Sequence, residues 1–312
     1  MDVLERVAAG GLLTGERPVV VLLSGGRDSV CLLDVAVALR GAAAVRALHV
    51  NYGLRAEAAG DEAHCAALCE ALGVALEVTR AERPADAPGN LQAWARDVRY
   101  AAAARLAAAL AGARVAVAHT ATDQAETILY RLAASPGRRA LLGMEPRTGR
   151  LVRPLLGVTR EETAAWCRAR GLGWREDVTN RSDRYARGRV RAGLVPALRA
   201  VHPAAERNVV RTAELLRDEA EVLDVVVDTA LAGRDRIAVG HLAALPRALA
   251  RLVVRRLAEA ATGELCPRAP GRLDDILGLG DGALDLGGGA RAIVQDAVLR
   301  CERTPPLPVR RT

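Results

Sequence analysis

Along the first 134 residues, short apolar-rich runs alternate with longer stretches in which apolar residues recur at helical spacing. Pro18–Leu23 (PVVVLL) is a short continuous apolar run of the kind a buried parallel strand shows, and Val45–Val50, Val74–Val78 and Arg114–His119 read as further strands. Asp28–Arg40, Ala56–Leu72, Leu91–Leu110 and Thr122–Ala133 carry the period of helices with one apolar face. Strands separated by helices of about 10–20 residues need crossover connections. The pattern therefore predicts an α/β fold, a parallel twisted sheet with helices on both faces.

From about Ser135 the texture changes. Pro136, Gly137, Gly143, Pro146, Gly149 and Pro154 mark a loop-rich stretch, after which Thr159-Arg160-Glu161-Glu162 forms a capping box opening a helix to about Arg170. Trp174–Arg191 is polar and irregular, and Leu194 onwards is helical through about Ala232. The remainder mixes helix (Leu242–Ala261, Arg272–Leu279) with two β-like runs, Ala283–Leu286 and Ala292–Leu299. No internal repeat is visible. The expected organisation is a nucleotide-binding catalytic domain over residues 1–200, a helical linker over 201–232 and a small α+β C-terminal domain over 233–312.

Composition narrows the chemistry. The net charge is +7, and all 44 basic residues are Arg, because the sequence contains no Lys. A Walker A loop, a Schiff-base lysine and a kinase-type strand lysine are thereby excluded. If the chain handles phosphate, it must do so with backbone N–H groups and Arg, with or without Mg²⁺. Residues 131–217 hold 19 Arg against 8 Asp and Glu, a local balance of +11 that leaves the rest of the chain at −4. Such a block predicts a polyanion-binding face. The six Cys (31, 65, 69, 167, 266 and 301) contain no C-x-x-C pair, which argues against zinc ribbons and iron–sulfur attachment. With no basic-then-apolar leader and no apolar run near 18 residues, a cytoplasmic protein without membrane contact is expected.

The sharpest candidate site is Ser24-Gly25-Gly26-Arg27-Asp28-Ser29, directly after one predicted strand and before a helix. A strand–turn–helix junction aims unpaired N–H groups and the positive end of the helix dipole at one spot. Two glycines allow positive φ and close approach of an anion to the backbone. Ser24 and Ser29 add hydroxyl donors, while Asp28 beside phosphate suits a bound Mg²⁺ or a substrate amine. His49, Asn51 and His119 fall at strand C-termini, where open α/β sheets bind ligands. Asp123 and Glu126 sit in the first turn of a helix. Asp177, Asn180, Arg187 and Arg191 lie in the basic block and suit phosphate or an incoming amino acid. Arg187, Arg189 and Arg191 stand two apart, which places all three on one face of an extended segment.

The hexapeptide resembles the pyrophosphate loop of the N-type ATP pyrophosphatases. Further segments follow it in order: His49-Val50-Asn51-Tyr52-Gly53-Leu54-Arg55, Ala95-Arg96-Asp97-Val98-Arg99-Tyr100 and His119-Thr120-Ala121-Thr122-Asp123-Gln124-Ala125-Glu126-Thr127. Arg153-Pro154-Leu155-Leu156, Glu176-Asp177-Val178-Thr179-Asn180 and Arg187-Gly188-Arg189-Val190-Arg191 complete the series. Together, over roughly residues 18–215, they resemble the tRNA(Ile)-lysidine synthetases. The chain departs from that pattern at Thr122, where the family has a further Asp, and at Val178 and Gly188. Its length matches a short form of the family.

The resemblance implies ATP and Mg²⁺ as cofactors, with free L-lysine and tRNA(Ile) bearing a CAU anticodon as partners; a homodimer is compatible with it. The implied reaction joins lysine to C2 of the wobble cytidine, position 34, with release of AMP and pyrophosphate. It places Ser24, Gly25, Gly26, Arg27, Asp28 and Ser29 at the phosphates, with His49 and Asn51 as neighbouring ATP contacts. Asp28 would hold Mg²⁺, Asp28 and Asp123 would be the catalytic carboxylates, and His119, Glu126, Asp177, Asn180, Arg187 and Arg191 would meet the substrates. A tRNA thiolase built on the same loop, or an ATP- or RNA-binding protein without turnover, are the alternatives.

Overall fold

Four consecutive buried residues, Val19–Leu22 (β1), form the middle of a six-stranded sheet. The computed structural model describes residues 2–54, 57–84, 90–134, 138–176 and 186–305. It divides into two units, Met1–Leu216 and Arg217–Thr312.

In the first unit, α1 (Val3–Ala9) precedes β1, and α2 (Arg27–Arg40) leads to β2 (Val45–Asn51). Then come α3 (Ala58–Ala71), β3 (Ala75–Arg80), α4 (Leu91–Ala109), β4 (Arg114–Ala116) and α5 (Ala121–Ala134). A short α6 (Arg138–Leu141), the two-residue strands β5 (Arg147–Thr148) and β6 (Leu151–Val152), and α7 (Arg160–Ala169) follow. The strand order is β3-β2-β1-β4-β6-β5, parallel except for the β5–β6 pair.

Alternation along β1 explains the layers. Val19 and Val21 face a core that includes Val30, Leu33 and Cys167, whereas Val20 and Leu22 face Ala102, Ala103 and Ala107 of α4. Each fully buried Val or Leu is worth about 1.5–3 kcal/mol, so this strand anchors both faces. The expected doubly covered parallel sheet is present. Chain order reverses beside β1, which has β2 on one side and β4 on the other. Such a switch point opens a crevice at the strand C-termini.

The sequence pattern misses α1, β5 and β6, whose runs are too short to show a period. Residues 186–201 form α8 (Ala186–Arg189), a π-turn (Val190–Leu194) and α9 (Val195–Val201). The extended reading of residues 187–191 is therefore corrected: these arginines sit on helical backbone and share no strand face. The helix expected from Leu194 through Ala232 is broken at His202, which is extended (φ −153°) ahead of Pro203, and α10 (Ala205–Leu231) starts afresh.

The second unit contains the C-terminal part of α10, β7 (Arg236–Ala238), α11 (Val239–Ala244), α12 (Arg247–Thr262) and α13 (Leu273–Leu277). Strands β8 (Gly282–Gly287), β9 (Ala290–Gln295) and β10 (Val298–Arg303) complete an antiparallel sheet of order β7-β10-β9-β8. Its inner face packs on α12 through Val253, Val254, Leu257, Ala292, Val294 and Leu299. Ala292–Leu299, expected as one strand, is two: Asp296 and Ala297 take φ of 52° and 57°, and Gln295 pairs with Val298. That is a two-residue hairpin with both central residues left-handed, a turn usually signalled by Asn-Gly. Among the described residues, no helix is long and apolar enough to cross a membrane.

Candidate functional site

The β1–α2 junction is built for close approach. Gly25 has φ +79°, and a Cβ there would lie 3.3 Å from Cys65 Sγ. Gly26, with φ −76°, is the N-cap residue of α2, so only the first of the two glycines uses the left-handed region. Ser29 Oγ donates to the Gly26 carbonyl (2.8 Å) and accepts from the Ser24 amide (3.1 Å), while the Gly26 amide donates to Ser24 Oγ (3.3 Å). The two serines thus shape the loop as well as lining the cavity in front of it. Gly25→Ala should cost about 1–2 kcal/mol from the backbone conformation alone. It should also weaken phosphate binding, as titration with a fluorescent nucleotide would register. Unchanged melting and affinity would show that the left-handed turn is dispensable.

That cavity, about 650 Å³, opens at the C-terminal ends of β1, β2 and β4. Ser24, Gly26, Arg27, Asp28 and Ser29 line one side, with Tyr52, Arg99 and His119 opposite. Arg160, Arg175 and Arg191 also line it, each paired with one or more carboxylates. The Arg175 amide donates to the Gly25 carbonyl (2.9 Å), and its Nε donates to Asp61 Oδ1 (2.6 Å), which fixes the 173–176 segment beside the loop.

Three predicted carboxylates converge on one guanidinium of the cavity wall, that of Arg160, although only Asp28 among them lines the cavity. Arg160 Nη2 donates to Asp123 Oδ1 (2.6 Å), Nη1 to Glu126 Oε1 (3.3 Å), and Nε lies 3.5 Å from Asp28 Oδ2. Arg191 holds Glu126 with two bonds, Nε to Oε1 (2.7 Å) and Nη2 to Oε2 (2.9 Å), and reaches within 3.8 Å of Asp123. Asp28 Oδ1 accepts from Thr163 Oγ1 at 2.5 Å and from Arg27 Nε at 3.3 Å. Burial would push the Asp123 carboxyl up. The Arg160 guanidinium and two hydrogen bonds from Thr120 outweigh it and hold the group below its ordinary range.

His119 follows β4 and lines the same cavity, with its Nδ1 buried and without a partner in the protein among the described residues. Burial pushes its pKa down to about 4, helped by Arg153, Arg96 and Arg99 and opposed by Asp123. The imidazole is neutral at pH 7. Its folded pKa lies below the ordinary 6.5, so between those values the unfolded chain binds more protons and stability falls as pH drops. Melting temperature should therefore decline from pH 7 to pH 5, and His119→Asn should flatten that decline.

His49 and Asn51 are not brought to the cavity wall. His49 is buried, and its Nδ1–H donates to the Leu23 carbonyl (2.9 Å) with Cys65 Sγ 3.4 Å away. Asn51 donates to Glu62 Oε2 (2.9 Å) and accepts from the Gly53 amide (2.9 Å). Both brace the loop and α3 from behind. Asp177 and Asn180 lie outside the described residues. Arg187 belongs to α8, and its side chain also lies outside the description.

The basic block is less free than its charge suggests. Arg131, Arg138 and Arg153 donate to backbone carbonyls, and Arg170, Arg199 and Arg207 pair with Asp34, Glu206 and Glu162. Thr122, the departure from the expected Asp, is buried with its hydroxyl 3.3 Å from Glu206 Oε2. A carboxylate there would face another carboxylate, so Thr122 fits a chain with Glu206 in α10. Sequence reasoning missed Arg160, taken only as part of a capping box; Arg153-Pro154-Leu155-Leu156 just before it was the available signal.

The PP-loop domain family matches residues 3–198. A tRNA(Ile)-lysidine synthase from Thermus thermophilus is 41% identical over 249 residues, covering 79% of this chain and 48% of the relative. The chain thus spans about half the length of that relative. Another tRNA(Ile)-lysidine synthase, from Salinispora tropica, is 39% identical and covers 88% of both chains. In fold, the chain is similar to a U34-tRNA thiolase from Methanococcus maripaludis, with TM-score 0.59 and 18% identity over 69% of this chain and 78% of that one.

Proposed function

The chain belongs to the tRNA(Ile)-lysidine synthase family of PP-loop proteins, and we propose that it ligates free lysine to C2 of the wobble cytidine of a CAU-anticodon tRNA(Ile) at the expense of ATP. The observation that carries this reading is the phosphate loop and Asp28 in one cavity at the β1/β4 switch point, with Asp123 and Glu126 joined to that wall through Arg160. One part suits a nucleotide triphosphate, the other an ammonium.

In the proposed reaction, the C2 oxygen of the cytosine attacks the α-phosphorus of ATP and pyrophosphate leaves. The lysine ε-amine then attacks C2, the C2–O bond breaks, AMP departs and the amine loses a proton. The protein's contribution is placement and charge. The Gly26 turn and the first-turn amides of α2 receive the phosphates. Asp28 offers a hard oxygen beside them, which fits Mg²⁺ held mainly by phosphates and water. No group of three or more His, Cys, Asp and Glu among the described residues forms a cage for a metal. Bound Mg²⁺ would neutralise charge on the departing pyrophosphate. Asp123 and Glu126 orient the lysine ammonium, with Arg191 fixing Glu126. The C-terminal domain, over residues 233–312, is proposed to add contacts to the tRNA.

The thiolase alternative needs a reactive thiol, and no cysteine lines the cavity among the described residues. Burial pushes the Cys65 thiol, beside Gly25, up to about 12, far from a thiolate at neutral pH. The test is release of AMP and pyrophosphate from ATP with a CAU-anticodon tRNA(Ile) transcript, supplied with lysine, with sulfide, or with neither. Lysine-dependent AMP release, with lysidine in the digested tRNA, is expected. Release that depends on sulfide instead would make it a thiolase, and binding without release a non-catalytic protein.

A further inference from the structure

We infer that Arg160 is a positioning residue, gathering Asp28, Asp123 and Glu126 around one guanidinium and so fixing the carboxylate wall on which lysine transfer depends. The inference rests on the proposed function for its catalytic part and on geometry alone for its structural part.

Each of the three guanidinium nitrogens of Arg160 faces a different carboxylate: Nε faces Asp28, Nη1 Glu126 and Nη2 Asp123. All three directions of the fork are committed to protein, so Arg160 acts on a ligand through these acids. The carboxylates come from two elements, α2 and α5, and residue 28 is distant in sequence from residues 123 and 126. Glu126 has a second guanidinium on it, from Arg191; Asp123 has Arg160 as its closest guanidinium beside two bonds from Thr120, and Asp28 shares Arg160 with Thr163 and Arg27. Without Arg160, Asp123 would lose its closest guanidinium and Asp28 and Glu126 would each lose one of two, leaving partly buried like charges less compensated.

The first turn of α7 is itself anchored, as a positioning device requires. Thr159 and Glu162 form a reciprocal capping box. Glu162 is held by Arg6 (2.9 Å) and Arg207 (3.1 Å), and Arg6 also donates to the Gly157 carbonyl (3.2 Å). One turn along the same face, Thr163 donates to Asp28. Helix α7 therefore presents two fixed groups to Asp28, and one of them reaches across to α5. A lysine at 160 would supply one point charge and could not serve three acids in a plane.

The test compares Arg160→Ala, Arg160→Lys, Asp123→Asn and the Arg160→Ala/Asp123→Asn double variant. For lysine-dependent AMP release, Arg160→Ala should lower kcat about 100-fold, the usual cost of a displaced catalytic group, with the KM for ATP within about threefold. Arg160→Lys should recover about tenfold of that loss. In melting, Asp123→Asn alone should destabilise the wild type, yet the double variant should melt above Arg160→Ala, because it removes a largely buried charge that has lost its closest guanidinium. A residue that merely packs would give a double variant melting below both single variants. That order, a kcat within threefold of wild type, or a raised KM for ATP at unchanged kcat would each overturn the inference. If Arg160→Ala does not fold, Arg160→Lys against Arg160→Lys/Asp123→Asn gives the same comparison. A wild type without lysine-dependent product overturns the proposed function alone, and the melting order still decides the role of Arg160.

Discussion

Asp28→Asn is expected to lower turnover by about a thousandfold, a loss of the size seen when a preorganised electrostatic group is removed, here the carboxylate proposed to hold the cation that neutralises the phosphates. Asn is nearly isosteric, and its carbonyl oxygen can still accept from Thr163 Oγ1, the 2.5 Å contact that ties α2 to α7. Arg160 keeps Asp123 and Glu126, so the cluster survives with one charge fewer. The core is untouched, because Asp28 projects into the cavity rather than into the layer formed by Val30 and Leu33. Melting within a few degrees of wild type and unchanged tRNA affinity should therefore accompany the loss. Single-turnover AMP release at saturating ATP and Mg²⁺ separates the chemical defect from weaker binding. A parallel collapse of melting temperature would make Asp28 a structural residue and remove it from the mechanism.

What was legible in the chain and what was not follows sequence distance. The phosphate loop was readable because its parts are local: a buried strand, one left-handed glycine and a helix start within twelve residues of Pro18. The doubly covered sheet was readable because short apolar-rich strand runs alternate with long helical stretches. The cluster around Arg160 was not, since its meaning depends on residues 132 and 37 positions upstream that only the fold brings together. A capping-box position is satisfied locally, and nothing local separates it from a residue that also bridges the site. His49 and Asn51 show the converse. A strand terminus identifies the edge of the crevice but not which way a side chain turns, and here both turn towards α3. Net charge misled in the same manner: a +11 block looks like one face, yet many of its guanidinium groups close internal contacts. Alternation failed at Asp296-Ala297 because a left-handed two-residue turn there lacks the glycine that usually announces it.

Arg191 tests the boundary between substrate pocket and nucleic-acid face most directly. On charge alone it belongs to the basic block, and a phosphate contact would make log K for tRNA fall against log salt by about 0.7–0.9 per contact. Its geometry places it elsewhere. The π-turn at Val190–Leu194 projects it back towards α5, where both Glu126 oxygens accept from it and Asp123 lies 3.8 Å away. Glu126 is almost wholly buried, with 3% of its side chain exposed, so the pair is shielded from the salt that screens surface charges. Arg191→Ala should leave Glu126 held by Arg160 alone at 3.3 Å and free to rotate from its place. Losing a charged hydrogen-bond partner of this kind costs about 1.5–3 kcal/mol, or about 10- to 150-fold in an equilibrium constant. The expected result is a rise of that size in the KM for lysine, with the salt slope of tRNA binding unchanged. A slope lowered by about one with an unaltered KM for lysine would instead place Arg191 on phosphate. Measuring both quantities on one variant decides the assignment, because the two roles move different numbers.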